Sequence, residues 1–323
     1  MNKFLIIIII IVAASFTLSC KTDSKLEYEI SKIDTEVTIE RFDQFFANAK
    51  PNDLQQLKKS YPFMFSKRYN DSVWINRLND TLQKQLNAEV NKIHGDFAQS
   101  KEEIQDLFRH LKYYYKTFKT PRVITVISTG VDYRNKVIVT DSIALIALDT
   151  YLGEDHFFYS GMYQYIKQNL KPSQIVPDLA VQYAQQHIYQ YRRKTLLDEM
   201  IYFGKILYFK DVMLPNISDQ EKMGYTKAQL DWAQDNESNI WRHFVEKELL
   251  FSTDSKLASR FINPAPFSKF NLELDSESPG RLGQYMGWQI VKSYAKNNEV
   301  SLQDILNMNA EDIFNKSKFK PRK

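Results

Sequence analysis

From Leu54 to Phe118 the apolar positions recur every three to four residues, the spacing of helices with one buried face. Trp74, Ile75, Leu78, Leu82 and Leu86 form one such stripe, and Ile104, Leu107, Phe108 and Leu111 form a second on a helix starting at Lys101. Ahead of this stretch, Thr35 to Glu40 alternates as a strand does, and Phe42 to Ala49 reads as a short helix. The texture then changes. Arg122 to Ser128 (RVITVIS) and Lys136 to Val139 are rich in β-branched residues and flank the turn-like Val131 to Asn135. Ile143 to Leu148 (IALIAL) gives a further strand after the Thr140-Asp141-Ser142 break, and beyond Tyr151 the chain reads as almost wholly helical. A small sheet followed by a helical region predicts a mostly helical α+β fold. No internal repeat or long linker divides residues 28–323, which are expected to form one domain.

The N-terminus has a different pattern. Lys3 is followed by an unbroken apolar run from Phe4 to Ala14, then by Ser15 to Ser19 and by Cys20, the chain's single cysteine. A cationic start, an apolar stretch and a small residue before the cut make an export signal, here residues 1–19. A lone cysteine directly after that cut is what lipid modification requires, with 20–27 as a polar lipidated tether. Two further readings stand beside it. Phe4 to Leu18 could cross a membrane, although it is shorter than the roughly 20 residues a bilayer core needs. Cys20 could also be a free thiol after ordinary cleavage, in an oxidising compartment where unpaired thiols are a liability. Several acyl chains hold a protein stably on a membrane where one does not.

Composition narrows the chemistry. A single cysteine excludes an intramolecular disulfide, a CxxC redox pair and a thiolate zinc site. The 43 basic and 39 acidic residues nearly balance, which argues against a nucleic-acid partner. The five basic residues between Lys316 and Lys323 read as a solvated tail. The phosphate loop, the dinucleotide fingerprint and the GxSxG elbow are all absent from the sequence. His94, His110, His156, His187 and His243 stand far apart; His156 has the best loop context, and a solvent-exposed polar turn is expected there.

Two segments carry more information. Leu196 to Phe209 reads as a helix with Leu196, Met200, Phe203 and Leu207 on a core stripe and Asp198, Tyr202, Lys205 and Phe209 on another face. Zinc peptidases place HExxH on such a helix, the two histidines binding metal and the glutamate activating water. Here the frame reads Asp198-Glu199-Met200-Ile201-Tyr202, and taken alone it is an amphipathic helix. In the second segment, Ser278 and Pro279 read as an N-cap and first helical turn. Gly280, Gly283 and Gly287 then share one face, as at a close helix–helix crossing or, second, a ligand-facing groove.

The segments ALDTYLG (147–153), EMIYFGKILYF (199–209), NESNIW (236–241), APFSKF (265–270) and SPGRLGQYMGWQIVKSY (278–294), in that order, resemble the gliding-motility lipoprotein GldB family. The resemblance covers nearly the whole chain after the N-terminal segment. It implies a periplasm-facing lipoprotein of the gliding and associated protein-secretion apparatus. Its partners would be the membrane, through lipid on Cys20, and other proteins of that machinery. Lys21 after the cysteine is compatible with onward transport to an outer membrane. The resemblance also implies kinship to a gluzincin-like peptidase superfamily, in which a sheet precedes the HExxH helix. Its zinc positions would fall on Asp198 and Tyr202, and Glu237 would be the counterpart of a third ligand. This chain departs at both histidines, so a non-catalytic protein without metal or cofactor is expected. The alternatives are a peptidase with an atypical site using Glu199 as base, or a lipoprotein that binds an extracytoplasmic ligand through its aromatic residues.

Overall fold

The computed structural model describes residues 25–323 except 129, 191 and 274, so the segment Phe4 to Cys20 lies outside the described residues. Four strands form one sheet: β1 (Ile39–Glu40), β2 (Arg122–Val126), β3 (Val137–Val139) and β4 (Ile143–Ala147), in the order β1-β2-β4-β3. β1 and β4 both run parallel to β2, and β3 closes the edge antiparallel to β4. Successive residues of β2 point to opposite faces. Val123 therefore joins a cluster with Ala144, Ile146 and the helices on one side, while Ile124 joins the aromatic cluster of Phe42, Phe46, Tyr61, Phe65 and Trp74 on the other. Burial on both faces explains why β2 and β4 read as near-continuous apolar runs.

The helices ahead of the sheet are α1 (Phe42–Ala47), α2 (Leu54–Ser60), α3 (Asp71–Asn79), α4 (Thr81–His94) and α5 (Ala98–Tyr114). The single stripe from Trp74 to Leu86 is a misreading. Asp80 has extended backbone, ends α3 and caps α4 by accepting a hydrogen bond from Gln83 N at 2.7 Å. The break resets the helical phase, so Trp74, Leu78 and Leu86 are buried while Leu82 is 49% exposed. The alternating Thr35 to Glu40 segment pairs only over Ile39 and Glu40.

After the sheet come α6 (Ile175–His187), α7 (Leu196–Met213), α8 (Asp219–Met223), α9 (Lys227–Asp235), α10 (Glu237–Glu246), α11 (Leu282–Asn297), α12 (Leu302–Asn307) and α13 (Ala310–Ser317). The protein is mostly helical with a small mixed sheet, an α+β fold. The described residues of 251–281 are largely irregular, broken by a π-helical segment at Ala258–Ile262 and a 3-10 turn at Asp275–Glu277, so the helical reading beyond Tyr151 does not hold there. The basic side chains near the C-terminus are exposed, yet the backbone is docked: Phe319 packs on Trp241 with ring centroids 5.2 Å apart.

α7 is the central element rather than an amphipathic surface helix. Ile206, Phe209 and Met213 pack with α5, α6 and the sheet, whereas Leu196, Leu197, Met200, Ile201 and Leu207 pack with α10 and α11. Asp198, Lys205 and Lys210 are buried with them, and no residue of α7 is exposed. A helix apolar nearly all round has no solvent face to present. α11 crosses it closely, and Leu282 to Val291 are all buried.

Candidate functional site

The frame from Asp198 to Tyr202 occupies the first turns of α7, and both of its carboxylates already have work in the fold. Thr195 caps the helix, its Oγ1 accepting from Asp198 N at 3.1 Å. In return Asp198 Oδ2 accepts from the backbone N–H groups of Thr195 and Lys194, each at 3.0 Å. This is a capping box, which satisfies otherwise orphaned donors and places a negative charge at the positive end of the helix dipole. Glu199 is held by both arms of Arg193, Nε donating to Oε1 at 2.9 Å and Nη2 to Oε2. The same guanidinium lies 3.7 Å from the centroid of the Tyr202 ring. Carboxylate, guanidinium and ring therefore form one stack against the start of α7.

Glu237 is elsewhere. It opens α10 and is 2% exposed, accepting from Tyr285 Oη at 2.8 Å and from the backbone N–H of Arg322 at 3.0 Å. Its partners belong to α11 and the C-terminal segment, not to the frame on α7. Among the described residues, no group of three or more His, Cys, Asp or Glu is arranged to hold a metal ion.

The histidines also have separate settings. Burial pushes His94 down to about 4. His110 Nδ1 lies 2.9 Å from Asp106 O, and His187 stacks on Tyr115 at 3.8 Å. His243 stands edge-on to Phe270. The turn before His156 is present, with Asp155 exposed, but the His156 side chain itself is only 8% exposed and its Nε2 lies 3.1 Å from Glu89 Oε2.

The glycines mark close backbone approaches. A Cβ on Gly287 would sit 1.8 Å from Met200 O, and one on Gly204 would sit 2.4 Å from the carbonyl of Gly287. At Gly283 the nearest atom would be Ile262 Cδ1, at 2.7 Å. Gly280 lies before the helix, against Ala265 O at 2.3 Å, because α11 starts at Leu282 rather than Pro279. Ser278 is therefore not its N-cap. Ser278 Oγ instead donates within the preceding loop, to Asp275 O at 2.7 Å and Ser268 O at 3.1 Å.

A constellation that the sequence did not reveal lies where the sheet layer meets the helical layer. A cavity of about 220 Å³ is lined by Lys136, Lys210, Lys222, Arg281 and one carboxylate, Asp178, together with apolar side chains of α6 and α7. A second cavity of about 170 Å³ adjoins it, sharing Lys136, Asn169 and Arg281, and Tyr133, Tyr165 and Tyr225 line its wall. Asp178 is engaged by Lys136 at 2.5 Å and by Tyr151 Oη at 2.8 Å. Lys222 is engaged by Asp211 at 3.2 Å and Asp219 at 3.7 Å.

Lys210 and Arg281 differ. Lys210 Nζ donates to Lys222 O at 2.7 Å and Arg281 Nη2 to Gly224 O at 2.8 Å. Among the described residues neither has a carboxylate within ion-pair distance. Burial pushes the Lys210 ammonium down to about 8; Asp178 and Asp211 oppose the shift, and the nearby Arg281 and Lys136 charges add to it. Burial likewise lowers Arg281, and burial raises Asp211 despite its cationic neighbours. Arg281 also has φ of +62°, a left-handed conformation uncommon for a side chain other than glycine. The one available sequence signal was two lysines, 205 and 210, in the mostly apolar stretch that follows Glu199. Lys205 Nζ satisfies carbonyls at the end of α12, those of Leu306 and Met308.

No helix among the described residues is long and apolar enough to cross a membrane. No curated protein and no solved structure gives a significant match to the chain. The family model described as gliding motility protein GldB matches residues 23–321, nearly the whole chain, and the protein belongs to that family.

Proposed function

We propose that this protein is a lipid-anchored, periplasm-facing component of the gliding machinery and its associated secretion apparatus, and that it acts by binding rather than by hydrolysis. Membership of the GldB family supports the place in gliding. The observation that carries the non-catalytic reading is the state of the frame on α7. Asp198 is a helix cap, and both oxygens of Glu199 face the Arg193 guanidinium, leaving no poised base. Descent from a zinc peptidase accounts for a helix with this frame following a sheet in sequence, with both histidine positions changed. Anchorage rests on the N-terminal pattern ending at Cys20. The outer membrane is the favoured location, with the folded part on its periplasmic side.

The test is metal analysis of the full chain in detergent, with peptidase assays of the parent and of Glu199→Gln. The expected result is no tightly held zinc and no cleavage that depends on Glu199. Stoichiometric zinc with cleavage lost in Glu199→Gln would overturn the reading.

A further inference from the structure

The cavity between the two layers contains an imbalance that the fold itself does not resolve. Of its four cations, Lys136 and Lys222 have carboxylate partners, whereas Lys210 and Arg281 do not. Each of these two donates a hydrogen bond to a carbonyl at the end of α8, Lys222 O or Gly224 O. An ammonium has three donors and a guanidinium five, so most of their capacity is not accounted for by those bonds. Lys210 is 6% exposed; Arg281 and Lys136 repel its charge, while Asp178 and Asp211 attract it from beyond ion-pair distance. Charges out of water are ordinarily paired or replaced by apolar groups.

Arg281 is the more telling residue. It takes a left-handed backbone that glycine would accept with less strain, although Gly280 stands immediately before it. Its guanidinium lies over the Tyr225 ring, 5.2 Å from the centroid, and Arg281 and Lys136 line both cavities. A strained residue whose charge feels Asp178 but has no directly paired carboxylate among the described residues, at the wall of a cavity, is the pattern of a binding group. The adjoining cavity adds apolar surface from Tyr133, Tyr165 and Tyr225.

We propose that Lys210 and Arg281, with Lys136 beside them, form a binding site for a single oxyanion, a carboxylate or phosphate group, on a ligand whose apolar part lies against the three tyrosines. The oxyanion would accept charge-assisted hydrogen bonds from a planar fork and an ammonium, the donor set suited to such groups. Asp178 would stay with Lys136 and Tyr151, so the cavity keeps its positive balance. This deepens the binding reading above by naming what the cleft takes. The two fail separately: Glu199-dependent hydrolysis would leave oxyanion binding intact, and absence of binding would leave the peptidase result intact.

Isothermal titration calorimetry of the full chain in detergent, at fixed ionic strength in chloride, tests the site with inorganic phosphate, N-acetylglycine and N-acetylglycinamide. The expected result is one saturable site for phosphate or N-acetylglycine and none for the amide. Lys210→Met and Arg281→Gly should each weaken binding by about tenfold or more. The first keeps side-chain length without charge, and the second suits the left-handed backbone, so both are chosen to fold; near-UV circular dichroism checks that they do. A preference for phosphate assigns a phosphorylated ligand, and a preference for N-acetylglycine assigns a carboxylate such as a peptide C-terminus. Failure of a natively folded parent to bind either oxyanion overturns the proposal, as does equal binding of the amide or affinity unchanged in both variants.

Discussion

Replacing Gly287 by alanine should break the crossing on which the helical layer is built. The added Cβ would lie 1.8 Å from Met200 O, 2.4 Å from its carbonyl carbon and 3.0 Å from its Cα. A carbon–oxygen contact needs about 3.3 Å, so α7 and α11 must separate locally by about 1.5 Å. The obstacle is helical backbone, which cannot rotate away as a side-chain tip can. A radial gap of even ~1 Å forfeits a quarter to a half of each dispersion contact across it. Both helices are buried on nearly every face, with Met200, Trp288 and Val291 at most 0% exposed. Alanine gains about 1 kcal/mol in helix propensity over glycine, and overpacking costs about 1–3 kcal/mol or more. At so short a contact the steric side wins, and Gly287→Ala should lose about 2 kcal/mol or more, the upper end of the overpacking cost less the propensity gain. Gly283→Ala meets the flexible tip of Ile262 at 2.7 Å and only one backbone atom within 3.0 Å, Phe261 O at 2.9 Å, so it should lose less, about 1 kcal/mol. Urea unfolding followed by tryptophan fluorescence measures both. If Gly287→Ala is as stable as the parent, or is less damaging than Gly283→Ala, the reasoning about this crossing is refuted.

Three further outcomes are expected. Lys205 and Lys210 are pushed down to about 8 by burial, while an unfolded lysine titrates near its ordinary value of about 10.4. Between those values the unfolded chain holds protons that the folded chain has released, so stability should rise from pH 8 to 10, by on the order of 2 kcal/mol per lysine. Above that window tyrosines raised by burial, among them Tyr225 and Tyr285, reverse the slope; thermal melts across pH should show the rise, and Lys205→Met should flatten it. Asp198→Ala removes the acceptor for two backbone donors and should lower stability by about 1–2 kcal/mol in urea unfolding, a loss that a mere surface carboxylate would not produce. Cys20→Ala should abolish labelling by radioactive palmitate and retention in the membrane fraction; retention as an uncleaved chain would instead assign Phe4 to Leu18 as a spanning helix.

The strands were legible because their signal is local. Arg122 to Val126, Val137 to Val139 and Ile143 to Ala147 lie within the β-branched runs. The break at Asp80 was missed because periodicity continues across it, and only the capping geometry betrays the change of phase. α7 was misread for the opposite reason: its polar residues look like a solvent face, but Asp198 caps the helix and the two lysines donate to carbonyls inside the protein. Arg281 and Lys210 are 71 residues apart in numbering and meet at a cavity that depends on where α8 ends and α11 begins. No spacing rule encodes that meeting. The family resemblance is carried by whole segments, which is why it could be seen before any of these positions was understood.

The central claim is that this protein serves gliding by holding a ligand in its cationic cleft and not by cutting one. Single-cell gliding speed tests it in a gliding bacterium whose own copy is replaced by Glu199→Gln, Lys210→Met or Arg281→Gly, each at matched membrane abundance. The account predicts that Glu199→Gln cells glide like the parent while Lys210→Met and Arg281→Gly cells slow or stop. The reverse pattern, with gliding lost in Glu199→Gln and kept in the two cleft variants, would contradict it.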